Sequence, residues 1–209
     1  MADVPFSALY DQVLPYLPGA ELGIVDSNIR KAVREWMKRT TTFREIFVVD
    51  TVAGISDYRL LPASANRQVS AIIAVYPDGE QRPIDVVPED RRHPIAAGYP
   101  NKWFTQITDV LSFYPQPDNV YRYTVNAVTI LKQDAVAMPE ELIAFHGEPL
   151  AAGVLATMMG MPGKPWTQQQ AGAQYGRIYS GAIRTERGKL RDGGQPNQST
   201  FQPRVTFGV

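Results

Sequence analysis

The hydrophobic period changes twice along this chain, and that double change restricts the available folds more than any other feature. Up to Arg39, and again from Pro139, apolar residues recur at helical spacing. Between Thr41 and about Gln133 they alternate or run together in β-branched and aromatic clusters. Helices separated by a run of strands predict an α+β class. The expected architecture is a helical bundle of N- and C-terminal helices with an inserted small antiparallel β lobe and an extended C-terminal arm. The corresponding segments are 1–40, 41–134, 135–192 and 193–209.

The early helices are expected over about Phe6 to Leu17, ended by Pro15 and Pro18-Gly19, and over about Ile24 to Arg39 with Asp26 or Ser27 as N-cap. In the second, Ile29, Val33, Trp36 and Met37 share one face. Strands follow at Phe43 to Val49 and Val69 to Tyr76, where the Tyr76-Pro77-Asp78-Gly79 turn predicts a hairpin returning along Ile84 to Val87. Trp103 to Thr108 with Val110 to Tyr114 reads as another hairpin. Tyr121 to Leu131 reads as a long strand with Tyr121, Tyr123, Val125, Ala127 and Thr129 on one face. Helix resumes at Pro139, ahead of the dipole-favoured Glu140 and Glu141, with a kink expected from Pro149 near Gly147. A last helix is expected from about Pro165 to Arg191, stopped by Gly193-Gly194.

With 209 residues and 44% hydrophobic composition, the chain can bury a sizeable core, and global disorder is excluded. It has no cysteine and only two histidines, His93 and His146, so disulfides, thiolate catalysis and cysteine-based metal sites are excluded. Lys+Arg and Asp+Glu are 21 each, which implies no bulk attraction to nucleic acid or anionic lipid. The balance hides an asymmetry: residues 1–148 carry 19 acids and 14 bases, residues 149–209 carry 2 acids and 7 bases. Opposite-signed ends either make copies complementary head to tail, which closes into rings, or are simply two solvated surfaces. No basic residue precedes Arg30, and Pro149 to Gly163 is too short and broken to span a bilayer, so the expectation is cytoplasmic synthesis with no membrane partner.

Motifs for chemistry fail on inspection. Gly163-Lys164 lacks the glycine, the hydroxyl residue and the preceding strand of a phosphate loop. His146-Gly147-Glu148 matches half of a zinc deaminase signature whose cysteine half cannot exist here. His146 with Glu141 or Glu148 is a candidate acid/base pair, against the commoner reading of a helix-surface or interface histidine. His93 sits in a polar connector. The expectation is no catalytic residue, metal or cofactor. Arg30, Lys31, Arg34, Lys38 and Arg39 make one basic helical cluster, and Arg184, Arg187, Lys189 and Arg191 another, suited to phosphates or to acidic protein surfaces.

Beyond Gly193 the composition changes to Gly, Gln, Pro, Asn and Ser, leading into Phe201, Val205, Phe207 and Val209 at alternate positions. This segment is either an unstructured end or an arm that pairs with another chain's sheet edge, and the alternation favours the arm. Fully extended, it would reach roughly 55–60 Å.

A succession of short motifs points to a family. In order these are Tyr58-Arg59-Leu60-Leu61-Pro62, Gly98-Tyr99-Pro100 with Trp103-Phe104, and Leu111-Ser112-Phe113-Tyr114-Pro115-Gln116-Pro117-Asp118. Met138-Pro139-Glu140-Glu141-Leu142, Gly153 to Gly163 and the Tyr175 to Arg184 helix follow. Across roughly residues 5–190 this resembles the head-to-tail adaptor (connector) proteins of tailed bacteriophages, especially short-tailed ones. The resemblance implies a non-catalytic virion protein forming a twelve-subunit ring under the portal, extending the DNA channel towards a tail protein on its distal face. It implies a portal-docking arm, here Phe201, Val205, Phe207 and Val209 as anchors with Arg204 as ion-pair partner, and non-specific contact with the passing genome. Another tail ring (a tail-tube or head-completion protein) or a non-specific DNA-binding module remains open on the same residues.

Overall fold

The computed structural model describes residues 2–87, 97–105 and 107–191. The chain is mixed α/β, with four α-helices and three sheets among the described residues, about 40% helix and 27% strand. This overturns the expected α+β bundle with a small inserted antiparallel lobe. About a quarter of the chain is strand, one sheet contains a parallel pair, and strands also occur beside the helices at both ends.

The first turn of chain shows why. β1 (Asp3–Pro5) pairs antiparallel with β9 (Ala137–Pro139), tying the start of the chain to the residue before the third helix. Asp3 also accepts hydrogen bonds from Ser64 Oγ and, at 3.0 Å, from Asn66 Nδ2. Burial alone would raise the Asp3 carboxyl. The bonds from Ser64 and Asn66 and the nearby Arg67 charge outweigh it and hold the group below its ordinary value. Three-residue strands carry no readable period, so neither element was visible in the sequence.

The expected first helix is broken into a 3-10 turn over Phe6–Leu9, α1 (Tyr10–Val13) and a second 3-10 turn over Leu14–Tyr16. Pro15 removes a backbone donor where a continuous helix would need it. Phe6, Leu9, Val13 and Leu17 are nevertheless all buried. α2 (Leu22–Thr40) begins earlier than expected and without a side-chain cap; Asp26 instead accepts the Tyr10 hydroxyl at 2.7 Å. Thr41 ends it in the left-handed region, φ 54°, with its N–H on the Met37 carbonyl.

The strands form two sheets facing each other. One has the order β2-β8-β4, with β2 (Arg44–Asp50), β4 (Arg67–Pro77) and the long β8 (Arg122–Leu131), all antiparallel. The other runs β3-β7-β6-β5, from β3 (Asp57–Arg59), β5 (Asp85–Val86), β6 (Lys102–Phe104) and β7 (Val110–Tyr114). The Pro77-Asp78-Gly79 turn forms, with Gly79 at φ 74°. Its predicted return strand does not: after a single bond from Ile84 to Val75 the chain crosses, and β5 pairs in parallel with β6. Val69, Val75, Tyr123, Val125 and Ala127 from the first sheet meet Trp103, Leu111 and Phe113 from the second. The Phe113 and Tyr123 rings lie 4.4 Å apart at their centroids.

β8 connects this core to the helical one. Its alternation holds through Ala127, after which every residue to Ile130 and Leu131 is buried, because α2 covers the face that solvent covers further up. Ile130 and Leu131 belong to the core shared by α2, α3 (Glu140–Met159) and α4 (Gln169–Arg191). α3 is apolar and long enough to cross a membrane by length and composition. Much of its apolar surface is covered by packing, with Leu142, Leu150, Val154, Leu155, Met158 and Met159 all buried between its neighbours, while Phe145 is exposed. The kink falls at His146 (φ −136°, ψ 18°), within one turn of Pro149, whose ring and missing N–H disturb the preceding turn.

Candidate functional site

No single cleft gathers the predicted residues; they fall on separate surfaces. On α2, Arg30 donates through Nε to the Ala135 carbonyl at 2.7 Å and stacks over the Phe6 ring at 5.4 Å. Arg34 donates through Nη1 to the Leu131 carbonyl at 2.7 Å. These two cations clamp the end of β8 and the following turn to α2 through charge-assisted hydrogen bonds. Arg39 pairs with Glu35 one helical turn away. Of this cluster, Lys31, Lys38 and the paired Arg39 are exposed.

On α4, Arg184 and Arg187 are exposed, while Lys189 pairs with Glu186 at 2.6 Å. Arg191 closes the helix, its side chain outside the described residues. Phe201, Arg204, Val205, Phe207, Val209 and His93 also lie outside the described residues.

His146 sits at the kink with its ring 4.9 Å from Trp36. Burial lowers its pKa, with Glu186 opposing and Lys189 adding to the shift. The carboxylate that acts on it therefore comes from α4, not from Glu141 or Glu148 of its own helix. Among the described residues no three His, Asp or Glu side chains converge as metal ligands.

The helices approach closely where glycine permits. Tyr179 lies across Gly153, such that a Cβ there would meet Cδ2 and Cε2 at 2.8 Å, and its hydroxyl donates to the Ala32 carbonyl at 2.7 Å. A Cβ at Gly172 would meet the Ala156 carbonyl at 3.2 Å and the Gly160 nitrogen at 3.3 Å, whereas Gly181 has open space. Beside this contact runs a groove of about 580 Å³ lined by Gln12, Tyr16, Ala152, Leu155, Tyr175 and Ile178, with Asp11 and Glu148 on it.

The sheet carries the other surface. β2 is the terminal strand of its sheet, with no strand beyond it among the described residues. The bond from Thr51 N to Tyr121 O, and that from Thr129 N to Phe43 O, fix the phase of pairing with β8. The backbone groups of odd-numbered residues face β8, so those of Arg44, Ile46, Val48 and Asp50 face outward. Ile46 is 70% and Val48 62% exposed on the same strand. In the strand expected over Phe43 to Val49, Phe47 and Val49 turn towards the core while the face of Ile46 and Val48 is bare. An apolar run on both faces of a strand at the edge of its sheet is the signal that sequence analysis passed over.

No protein-family model matches the chain, and no curated protein matches it.

Proposed function

We propose that this chain is a structural virion protein, the subunit of a head-to-tail adaptor ring that docks on a portal ring and extends its DNA channel to the tail. The observation that carries the reading is the presence of two unlike adhesive surfaces on one chain: the groove beside α4, with Asp11 and Glu148, and the bare apolar edge of β2. A chain whose two contact surfaces differ associates head to tail, and such contacts close into rings when the rotation permits. The ordered motifs over residues 5–190 and the opposite-signed halves of the sequence support the same reading. Lys31, Lys38, Arg184 and Arg187 supply only scattered exposed charge, suited to weak, sequence-independent contact with passing DNA. The partners on this reading are further copies of the chain, the portal, a tail protein on the far face and the genome.

Sedimentation of the portal ring of the presumed phage with the purified chain tests this. The proposal expects saturable co-sedimentation that reaches a fixed number of copies per portal. Absence of co-sedimentation, with both components folded, would refute it.

A further inference from the structure

The exposed edge of β2 asks for an occupant, and the chain carries one. Hydrophobic β-branched residues on a bare edge strand form a template for an added strand, a hazard that most proteins remove with charge, proline or a cover. Here Ile46 and Val48 stand between the outward-facing backbone groups of Arg44 and Asp50. We propose that the edge of β2 in one copy receives residues 204–209 of a second copy as an added strand.

Three observations choose this occupant. The first is period: Val205, Phe207 and Val209 alternate with Arg204, Thr206 and Gly208, so a strand pairing with β2 lays its apolar residues beside Ile46 and Val48. The second is charge: with that face matched, Arg204 falls on the Glu45 face of the sheet, and a parallel strand sets it opposite Glu45, whose Oε1 is held by Arg67 at 2.7 Å; Asp50 points to the other face and pairs with Arg122.

The third is where α4 ends. α4 runs antiparallel to α3, as the contacts of Gly153 with Tyr179 and of Gly160 with Gly172 require. α2 also runs antiparallel to α3, with Asn28 beside Met158 and Trp36 beside His146. α2 and α4 are therefore parallel. Tyr179 bonds to Ala32, so the last turns of α4 run alongside the end of α2, which leads into β2. The residues between Arg191 and the alternating segment, 192–203, span up to about 40 Å when extended, enough to reach a neighbouring copy.

The resemblance assigned this segment to the portal; the edge of β2 gives it a target in the ring itself. Each copy then gives a strand and receives one, a heterologous contact.

The absence of cysteine makes the test clean. Full-length chain carrying Phe207→Cys is mixed with full-length chain carrying Ile46→Cys or Val48→Cys and oxidised mildly. Paired strand residues stand at a separation a disulfide can bridge. The expected result is a mixed disulfide dimer in several-fold higher yield than with Ile178→Cys, an exposed position in the groove. Adding Val205→Pro and Thr206→Pro together, which between them remove a pairing donor in either strand direction, should abolish it. Preference for position 46 or 48 reports the register of the added strand. A yield no better than the Ile178→Cys control would overturn the proposal. So would a Val48→Cys/Phe207→Cys double variant that closes only within one chain when mixed copies fail to link. No portal is present, so a failed portal experiment and a failed cross-link are separate results.

Discussion

Replacing Gly153 with alanine should destabilise the protein although alanine is the better helix former. The added methyl would sit 2.8 Å from Cδ2 and Cε2 of Tyr179, and ordinary contact begins at 3.4 Å, so the ring must retreat by about 0.6 Å. Tyr179 has nowhere easy to go. It is 6% exposed, its ring lies 5.9 Å from that of Trp36, and its hydroxyl is fixed on the Ala32 carbonyl. Overpacking of this kind costs about 1–3 kcal/mol, and loosening the buried hydrogen bond about 1 kcal/mol more. The helix propensity of alanine returns about 1 kcal/mol. The net is a loss of about 1–3 kcal/mol, or a fall in Tm of about 2–10 °C for a chain of this size. Urea unfolding followed by circular dichroism would read it as a lower midpoint at unchanged slope. Gly181→Ala is the control: with open space around it, the same substitution in the same helix pair should stabilise by about 0.5–1 kcal/mol. Equal or greater stability of Gly153→Ala would refute the claim that this glycine sets the α3–α4 spacing.

Other outcomes follow from single residues. His146 has a folded pKa below its ordinary value because it is buried. As pH falls below about 6.5, the unfolded chain binds a proton that the folded chain resists, so stability is lost with acid until the folded value is passed. His146→Gln should flatten that part of a stability–pH curve, and an unchanged curve would contradict the assignment. Thr41→Gly should raise stability by about 1 kcal/mol, because a β-branched residue holds φ 54° at the end of α2. Thermal unfolding checks it, and a lower Tm would count against it.

The helices and long strands were legible because each repeats its pattern often enough to be read. α2 and α4 bury one face each, α3 is a long apolar run buried continuously from Leu150 to Leu155, and β8 alternates through Ala127. The kink near Pro149 follows from the covalent chemistry of proline. What escaped the sequence depends on partners far away in the chain. β1, β3 and β9 are three residues each and exist only through pairing. β5 looked like the second half of a hairpin, and its choice of β6 is made by the opposite sheet. The architecture was misread for the same reason, since a lobe and a bundle seem separable until β8 is found inside both cores. For the candidate surfaces, residue type showed Arg30 and Arg34 to be cations but not that their charge is spent on Ala135 and Leu131 carbonyls. Conversely, Phe43 to Val49 was legible as a strand, and only the strand order shows Ile46 and Val48 to be a surface.

The adaptor reading is tested most directly by electron microscopy of the purified chain mixed with the portal ring of the presumed phage. The account predicts a second ring stacked coaxially on the portal, continuing its channel. Portal rings that remain bare, beside a well-folded chain at saturating concentration, would contradict it.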